Sequence, residues 1–291
     1  MSALKFFVKS ILPKWLLRLL IFEKRFELNG RKPDGFYKNN TVFCPCCGKS
    51  FIRFMDFGFP FGANPERYRL TFKNTICPYC FSMARHRIVC HYFSEIFATR
   101  RAEAGSILIF GAEYSILKWF DRGGYHYTTA DLFDRTADIK VDIQNTPFSD
   151  ESWKLIICNH ILEHVPDYKK ALQELKRILA NKGILEITVP TDRNFDSVYE
   201  DVSIINKKER VKAFGQYDHV RVFGNDFEKT LIESGFSVEV IDGNKLPNEI
   251  VGVIGPADYD DNRVYICRKN NGSYNRLRDA SSKIKTKTKR V

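Results

Sequence analysis

The sequence predicts an α/β protein in which a small cysteine-rich unit precedes a mostly parallel sheet. Short apolar segments alternate with amphipathic helical segments from residue 106 onward, which is typical of a parallel sheet covered on both faces. Two C-x-x-C pairs precede that region. The chain has 291 residues, 44% of them hydrophobic, so it is long enough for a sizeable core and a smaller appended unit.

The N-terminal 40 residues predict a basic, apolar leader helix followed by a polar linker. The segment FFVKSILPKWLLRLLIF is interrupted by Lys9, Pro13, Lys14 and Arg18, so it is too short and too charged for an ordinary transmembrane helix. No small-residue cleavage site follows it, which argues against a signal peptide. Two alternatives remain: a helix packed on the folded protein, or peripheral contact with a membrane surface through residues 5–22.

The two cysteine pairs predict a metal site in a zinc ribbon over residues 41–81. The predicted ligands are Cys44, Cys47, Cys77 and Cys80. Two tight turns of this kind present four thiolates tetrahedrally, and four protein ligands leave no open position, so the zinc is expected to be structural. Cys46 is an alternative ligand, but its spacing from Cys44 is wrong for a C-x-x-C pair. The alternative is four unrelated buried cysteines. Metal spacing rather than a disulfide pattern indicates a reducing, cytoplasmic setting.

A connecting helix is predicted over residues 82–104, and the sheet region over residues 105–268. The predicted strands are SILIF, YHYTTA, DIKVD, KLIIC, ILEITVP, FSVEVI and NRVYICRK. The predicted helices are DYKKALQELKRILA, closed by Lys182-Gly183, and NDFEKTLIESG. A polar segment fills the interval between Pro190 and Gly215. Residues 269–291 read as a basic, disordered tail.

The net charge of +11 is concentrated at the two ends of the chain. Residues 1–40 contribute +6 and residues 268–291 contribute +8, whereas residues 41–267 sum to −3. A core that binds nucleic acid carries a basic patch itself, so nucleic acid is the less favoured partner. The basic ends can still meet an anionic membrane or RNA.

A nucleotide site is predicted where the parallel strands end. The first strand runs into the turn FGAEYS, which contains Gly111. The second strand ends at Asp131, 20 residues further on, where an acid can bind both ribose hydroxyls of a nucleotide held at the first turn. The third strand ends at Asp142, and the fourth ends in CNHILEHVPD. The alternative for Asp131 is a simple turn cap.

From Ser106 to about Arg268 the chain resembles the class I S-adenosylmethionine-dependent methyltransferases of the broad type 11 group. The matching segments are ADL (130–132), the continuous run 141–190, and DHVRVFG…GF (218–236). The resemblance implies a Rossmann-like, doubly wound sheet of seven strands whose last strand is antiparallel. It extends to a subgroup that carries a zinc ribbon before the catalytic domain, joined to it by CPYCFSMARHR.

The resemblance implies that S-adenosylmethionine is the cofactor. The implied cofactor-binding residues are Gly111, Ala112, Glu113, Asp131, Leu132, Asp142, Ile143 and Asn159. In the family, Asp131 corresponds to the ribose acid, and Asp142 with Ile143 to the adenine site. The first loop departs from the family pattern because it has one glycine instead of two or three. Glu113 in that loop is expected to meet the ammonium group of the cofactor by charge complementarity.

The substrate side is predicted from residues beyond the fourth and fifth strands and from the connecting helix. The candidate catalytic residues are Asn159, His160 and His219. The candidate substrate-binding residues are Arg85, His86, Arg87 and Arg221. A histidine can act as general base if an oxygen is methylated, because imidazole titrates near neutrality. The alternatives are salt bridges between the two units for the arginines, and packing at a helix entry for residues 218–221.

The sequence therefore predicts a cytoplasmic methyltransferase acting on a small or carbohydrate-like (glycan) acceptor, aided mainly by proximity and alignment. A peripheral position at the inner face of a membrane is the alternative localisation. An RNA methyltransferase that grips its substrate with the ribbon and the basic ends is the second hypothesis. A non-catalytic binding or scaffold protein with a degenerate cofactor loop is the third.

Overall fold

The computed structural model describes residues 42–58, 71–100, 105–251, 259–260 and 262–270. The predicted leader and linker, its membrane-contact segment and nearly all of the predicted tail lie outside these residues. The strands are β1 Val42–Cys44, β2 Lys49–Phe51, β3 Met55–Gly58, β4 Thr71–Ile76, β5 Ile107–Phe110, β6 Thr128–Asp131, β7 Ile139–Lys140, β8 Trp153–Asn159, β9 Leu179–Thr188, β10 Thr191–Asp192, β11 Tyr199–Glu200, β12 Arg221–Val222, β13 Phe236–Asp242, β14 Tyr259–Asp260 and β15 Arg263–Lys269. The helices are α1 Ala84–Arg100, α2 Tyr114–Gly123, α3 Tyr168–Ile178, α4 Lys207–Phe214, α5 Phe227–Glu233 and α6 Asn248–Val251.

Seven of these strands form one sheet in the order β13-β15-β9-β8-β5-β6-β7. Five neighbouring strands run parallel to one another: β9, β8, β5, β6 and β7. The strand β15 runs antiparallel to both of its neighbours, β13 and β9. The residues of β5 are all buried, as expected for a parallel strand covered on both faces. The predicted α/β fold, with seven strands and an antiparallel last strand, is confirmed.

The ribbon consists of two antiparallel hairpins, β1–β2 and β3–β4. It shares one apolar core with the sheet rather than forming a core of its own. Phe51 and Phe54 of the ribbon belong to the same buried cluster as Phe93 of α1, Trp119 of α2 and Ile109 of β5. Burial of large aromatic side chains contributes roughly 1.5–3 kcal/mol each, so this shared core fixes the ribbon against the sheet.

The opposite face of the sheet is covered by α3 and α5. Leu172 and Leu175 of α3, with Leu231 of α5, pack on Ile156 and Leu185 of the central strands. The α3 helix begins at a capping residue, Asp167, whose carboxylate accepts from the backbone N–H of Lys170. Helices on both faces leave the ends of the strands as the place where a ligand can enter.

One local prediction is wrong. The α3 helix ends at Ile178, before the predicted stop at Lys182-Gly183, because Leu179 is already extended and opens β9. The polar segment after Pro190, for which no helix or strand was predicted, contains α4 and the strand β11, which pairs with β12. Its polarity hid the helix, which buries only Phe214.

Among the described residues, no helix has both the length and the apolar composition needed to cross a membrane.

Candidate functional site

Four cysteines meet in the turns that follow β1 and β4. One sulfur from each lies within 4.8 Å of the other three: Cys44, Cys47, Cys77 and Cys80. The Sγ atoms of Cys44 and Cys80 are 3.6 Å apart, and those of Cys47 and Cys77 are 3.8 Å apart. Sulfurs about 2.3 Å from a tetrahedral zinc lie about 3.8 Å from one another. The four-cysteine group predicted from the spacing is thus present, and its geometry suits that metal.

The first strand of the sheet ends in a turn that requires glycine. Gly111 has φ +54°, and its N–H donates to the carbonyl of Ala130 at the end of β6. A Cβ atom at this position would lie 2.3 Å from Cδ1 of Ile161. The turn therefore packs against the side chain of Ile161 in the loop after β8, and its left-handed φ favours glycine. Ala112 follows it, half-buried.

Glu113 joins this turn to the start of the connecting helix. Its Oε1 lies 2.9 Å from a guanidinium nitrogen of Arg85 and 2.7 Å from Nε2 of His86. Nδ1 of His86 accepts from the backbone N–H of Met83, so the ring proton sits on Nε2 and faces Glu113. Burial opposes ionisation of Glu113, but His86 and Arg85 outweigh it and lower its pKa. Its other oxygen, Oε2, is buried without a hydrogen-bond partner among the described residues.

Asp131 lies at the end of β6, where the sequence predicts it. Its Oδ1 accepts from the backbone N–H groups of Phe133 and Asp134 at 2.7 Å. Leu132 is partly exposed, and the next residue, Phe133, has 86% of its surface exposed. Asp131 therefore caps the turn through one carboxylate oxygen, as the alternative proposed. Its other oxygen, Oδ2, remains available to a ligand.

The third strand leads into a turn held by Asp142. Its carboxylate accepts from the backbone N–H of Gln144 at 2.9 Å and from the side-chain amide of the same residue at 3.1 Å. Ile143 is buried beside it. The amide of Gln144 in turn accepts from the backbone N–H of Asp167, which joins this turn to the start of α3. Asp142 is thereby fixed in orientation at the edge of the sheet.

Asn159 ends β8, and hydrogen bonds to residues of the neighbouring strand β9 hold its side chain in place. With its amide oriented to satisfy its partners, its nitrogen donates to both oxygens of Glu186 at 2.9 and 3.0 Å and to Thr188 Oγ1 at 2.7 Å. Glu186 is fully buried in β9, and this burial raises its pKa far above the ordinary range. The side chain of Asn159 therefore holds the end of the strand in place.

His160 follows β8 directly and pairs with Glu163. Its Nδ1 lies 3.1 Å from Oε1 of Glu163, and its backbone adopts a left-handed φ of +51°. Glu163 has no exposed surface, and burial raises its pKa, but the interaction with His160 outweighs burial and lowers it. A strained residue with a buried carboxylate behind its ring is typical of a functional position.

His219 lies behind this pair rather than at the mouth of the site. It is buried, and desolvation lowers its pKa to about 4 although Glu163 opposes the shift. Its Nδ1 lies 3.3 Å from the carbonyl of Phe214, and its ring meets that of His164 edge-on. A base of this pKa is a weak proton acceptor near neutrality, so His160 is the better of the two predicted bases.

Two of the arginines predicted to bind substrate are buried instead, and these two predictions need correction. Arg87 has no exposed surface; it donates to the carbonyls of Thr75 and Ile250 and lies over the ring of Phe54. The contact with the carbonyl of Ile250, 163 residues away, could not be read from local sequence. Arg87 therefore stabilises the junction of ribbon and sheet.

Arg221 is likewise buried, on the other side of the site. Its guanidinium donates to the backbone carbonyls of Leu162, Val165 and Pro166, and its Nε donates to Glu200 at 2.9 Å. The arginine thus holds the turn that carries His160 and Glu163. Of the two alternatives, packing at a helix entry describes Arg221, and a salt bridge between the two units describes Arg85, which pairs with Glu113. Arg87 donates to backbone carbonyls instead.

A family model described as a methyltransferase domain matches residues 81–241, more than half of the chain. The chain belongs to this methyltransferase family. The match begins one residue after Cys80 and ends within β13, so it takes in α1 and the sheet strands up to β13 but leaves β15 and the cysteine hairpins outside.

Known proteins resemble this methyltransferase over part of its length. An uncharacterized protein of Methanocaldococcus jannaschii is 34% identical over 111 residues, which cover 36% of this chain and 48% of that protein. The chain thus spans about half the length of this curated relative. The crystal structure of the CurJ carbon methyltransferase has a TM-score of 0.44 at 16% identity and covers 63% of this chain and 54% of that one. A Burkholderia thailandensis 1,6-didemethyltoxoflavin-N1-methyltransferase has a TM-score of 0.41 at 14% identity, covering 64% and 80%.

The structure of this methyltransferase brings Gly111, Asp131, Asn159 and His160 to one edge of the sheet, at the carboxyl ends of three adjacent parallel strands. Sequence reasoning assigned no functional role to Glu163 or Glu186. The signal for Glu163 was its position three residues after His160 within one turn. No comparable signal marked Glu186, because a single acid in an apolar strand is read as an edge or surface position.

Proposed function

We propose that the chain is an S-adenosylmethionine-dependent methyltransferase with a small or carbohydrate-like acceptor. The observation that carries the proposal is the buried Oε2 of Glu113, which has no hydrogen-bond partner among the described residues at the first turn of the sheet. A buried carboxylate oxygen left without a donor is costly. An ammonium group of a ligand is the donor that this site calls for.

The residues at the carboxyl edge fit the chemistry of the cofactor. Glu113 would hold its ammonium group, and Asp131 would accept from its ribose hydroxyls. Asp142 and Ile143 supply an acceptor and an apolar contact for its adenine. Gly111 and Ala112 offer a turn with little side-chain bulk, beside which the methionine part can lie.

When bound, S-adenosylmethionine supplies an activated methyl group on a sulfonium. The chain itself then needs to align the acceptor and to receive a proton where the acceptor is a hydroxyl. We assign that proton to the ring of His160, whose Nδ1 lies 3.1 Å from Oε1 of Glu163, so that the buried carboxylate would stabilise the resulting imidazolium. Arg221 keeps both residues in place by binding the carbonyls of their turn.

Calorimetric titration with S-adenosylmethionine tests this proposal without knowledge of the acceptor. Wild type is expected to give saturable heat, and Asp131→Ala to bind about 10- to 100-fold more weakly, since hydrogen bonds to a charged group contribute about 1.5–3 kcal/mol. Asp150→Ala is the matched control because Asp150 precedes β8 and lies at the opposite end of the strand. Saturable heat in neither wild type nor control would refute the proposal and favour a non-catalytic scaffold.

We further propose that the four-cysteine group binds a structural zinc ion. Its support is the spacing of two Sγ–Sγ pairs, 3.6 and 3.8 Å, which is close to that around tetrahedral zinc, together with the burial of all four cysteines. Ser82 Oγ lies 3.1 Å from Cys44 Sγ and can donate to a thiolate. All four positions would be taken by protein, so the role is to hold the ribbon.

A small acceptor is favoured over RNA because residues 41–267 carry a net charge of −3. Binding of RNA through the basic ends would weaken steeply with salt. A fluorescence titration with a single-stranded RNA oligonucleotide at 50 and 200 mM salt distinguishes the small-acceptor hypothesis from the RNA hypothesis. Tight binding that falls by orders of magnitude across this range would favour the RNA hypothesis.

Peripheral membrane contact through residues 5–22 is proposed as the alternative to a purely cytoplasmic location. Co-sedimentation with anionic liposomes, before and after removal of residues 1–25, tests it. Undiminished co-sedimentation of the shortened chain would show that the leader is not the membrane contact.

A further inference from the structure

We propose a second metal site at Glu163, His164 and His219, on the acceptor side of the site. One potential ligand atom from each of these residues lies within 4.8 Å of the other two. Two imidazoles and one carboxylate are a ligand set typical of zinc and related divalent metals. None of the three belongs to the four-cysteine group or to the proposed cofactor contacts.

The tautomers of both histidines are set for metal binding. His164 Nδ1 lies 3.2 Å from the backbone carbonyl of Asp218, and His219 Nδ1 lies 3.3 Å from that of Phe214. A carbonyl can only accept, so each Nδ1 donates in these contacts, and in the neutral ring Nε2 is then the nitrogen whose lone pair can bind a metal. A histidine that binds a metal commonly donates its other N–H in this way.

Glu163 supplies an independent observation. It has no exposed surface, and neither of its oxygens makes a hydrogen bond of good geometry among the described residues; the closest contact is His160 Nδ1 at 3.1 Å. One potential ligand atom of each of His164 and His219 lies within 4.8 Å of a carboxylate oxygen of Glu163, so the buried carboxylate faces two imidazoles besides that of His160. A divalent cation would compensate the buried charge, and the two oxygens allow His160 and the metal to share it.

The two segments that carry the ligands are held together in advance. The backbone N–H of Val220 donates to the carbonyl of Glu163 at 3.0 Å, and Arg221 donates to the carbonyls of Leu162 and Pro166. Ligands around zinc lie about 3.4 Å apart, so the observed spacing requires a closure of no more than about 1.4 Å. The side chain of His164 is 36% exposed and can make that adjustment.

Three protein ligands leave at least one coordination position open. His164 is the most exposed of the three ligands, with 36% of its side chain exposed, and an oxygen of the acceptor can reach the open position from that side. This role rests on the proposed function, whereas the metal site itself does not. It points to an acceptor with a hydroxyl or carboxylate group that binds a divalent metal.

Zinc titration of the full chain, without S-adenosylmethionine, tests the site. The protein is first equilibrated with a chelator of intermediate strength that leaves the four-cysteine zinc in place, and ZnCl2 is then added in a calorimeter. Wild type is expected to take up one further zinc per chain. Glu163→Gln and His164→Ala are expected to bind it at least 10-fold more weakly. His126→Ala, which removes an exposed histidine elsewhere, is expected to match wild type.

X-ray absorption at the zinc edge identifies the ligands of the added ion. It is expected to show a nitrogen and oxygen shell at about 2.0–2.1 Å besides the sulfur shell at about 2.3 Å. No further zinc in wild type, or unchanged affinity in the exposed His164→Ala variant, would overturn the proposal. Since the assay omits S-adenosylmethionine, zinc uptake without cofactor binding would leave the metal site standing and refute only the proposed function.

Discussion

Nε2 of His86, in the first turn of α1, lies 2.7 Å from Oε1 of Glu113, in the turn after β5. This contact joins the helix that follows the ribbon to the turn where the cofactor is proposed to bind. Both side chains are largely buried, so the pair is shielded from solvent. The geometry of the cofactor turn therefore depends on α1 as well as on the sheet.

Glu113→Gln should destabilise the protein in a pH-dependent way. The folded state lowers the pKa of Glu113, so its contribution to stability is present above its ordinary pKa and is lost as pH falls through the folded value. We expect a loss of about 3 kcal/mol in the free energy of unfolding at pH 7, as for a broken buried ion pair. Urea unfolding at pH 7.5, 5 and 4 measures it.

The difference between wild type and Glu113→Gln should begin to shrink between pH 5 and pH 4, as pH falls through the ordinary carboxyl pKa, and most of it should remain at pH 4 because the folded pKa lies lower. Glu95→Gln on the same helix α1 is the control, because its carboxylate is mostly exposed. It is expected to change stability by less than about 0.5 kcal/mol at every pH. A Glu113→Gln loss that stays constant with pH would show that the charge of Glu113 is not what stabilises the turn.

Replacement of Cys44 and Cys77 together by serine should abolish the zinc of the ribbon. Purified without added metal, wild type is expected to retain about one zinc per chain by plasma mass spectrometry, and the double variant almost none. Cys46→Ser is a stringent control, since Cys46 is buried within the same turn but lies outside the four-cysteine group. Equal zinc in wild type and double variant would contradict the assignment.

Gly111→Ala should cost more stability than Gly124→Ala. Both glycines have a left-handed φ, +54° and +69°, but only at Gly111 would the added Cβ meet a neighbour, Ile161. We expect a loss of about 1 kcal/mol for Gly124→Ala from backbone strain, and about 2–3 kcal/mol for Gly111→Ala.

Urea unfolding compares these two glycine variants, and titration with S-adenosylmethionine adds a second measure. Gly111→Ala should also weaken cofactor binding, whereas Gly124→Ala, at the end of α2, should leave it unchanged. Indistinguishable unfolding free energies would mean that the turn tolerates a side chain and is not the close approach described above.

Arg87→Lys should destabilise the protein although it keeps the positive charge. The guanidinium of Arg87 serves the carbonyls of Thr75, Ser82 and Ile250, and a single ammonium cannot reach them in the same fork geometry. We expect a loss of more than about 2 kcal/mol by thermal or urea unfolding. Arg135→Ala, at an exposed position, should change stability by less than about 0.5 kcal/mol. A neutral Arg87→Lys would refute the structural role.

The sheet and the cofactor edge were predictable because their signals are local. An apolar run such as KLIIC and an acid directly after a strand, as at Asp131, are visible within a few residues of sequence. The four cysteines were predictable for the same reason, since their spacing within each pair reflects one turn.

The roles of Arg87, Arg221 and Glu186 could not be predicted because their partners are distant in sequence. An arginine followed by apolar residues looks the same whether it faces solvent or the carbonyls of a remote loop. Only the tertiary structure distinguishes an exposed arginine from one that binds a remote loop. Arg221 is an example, since it donates to carbonyls of the turn from Leu162 to Pro166. The early end of α3 was missed because its last turn and the start of β9 share one apolar sequence, IL.

The shared core of ribbon and sheet limits where this chain can be divided. A fragment that started at the first strand of the sheet would lose Phe51, Phe54 and Phe93, and it would expose Trp119 and Ile109 to water. It would also lack Arg85 and His86, leaving the carboxylate of Glu113 buried without a counter-charge. The shortest unit that keeps this core intact thus includes the cysteine hairpins, and the zinc ion proposed for the four-cysteine group would then couple metal supply during synthesis to folding of the whole unit.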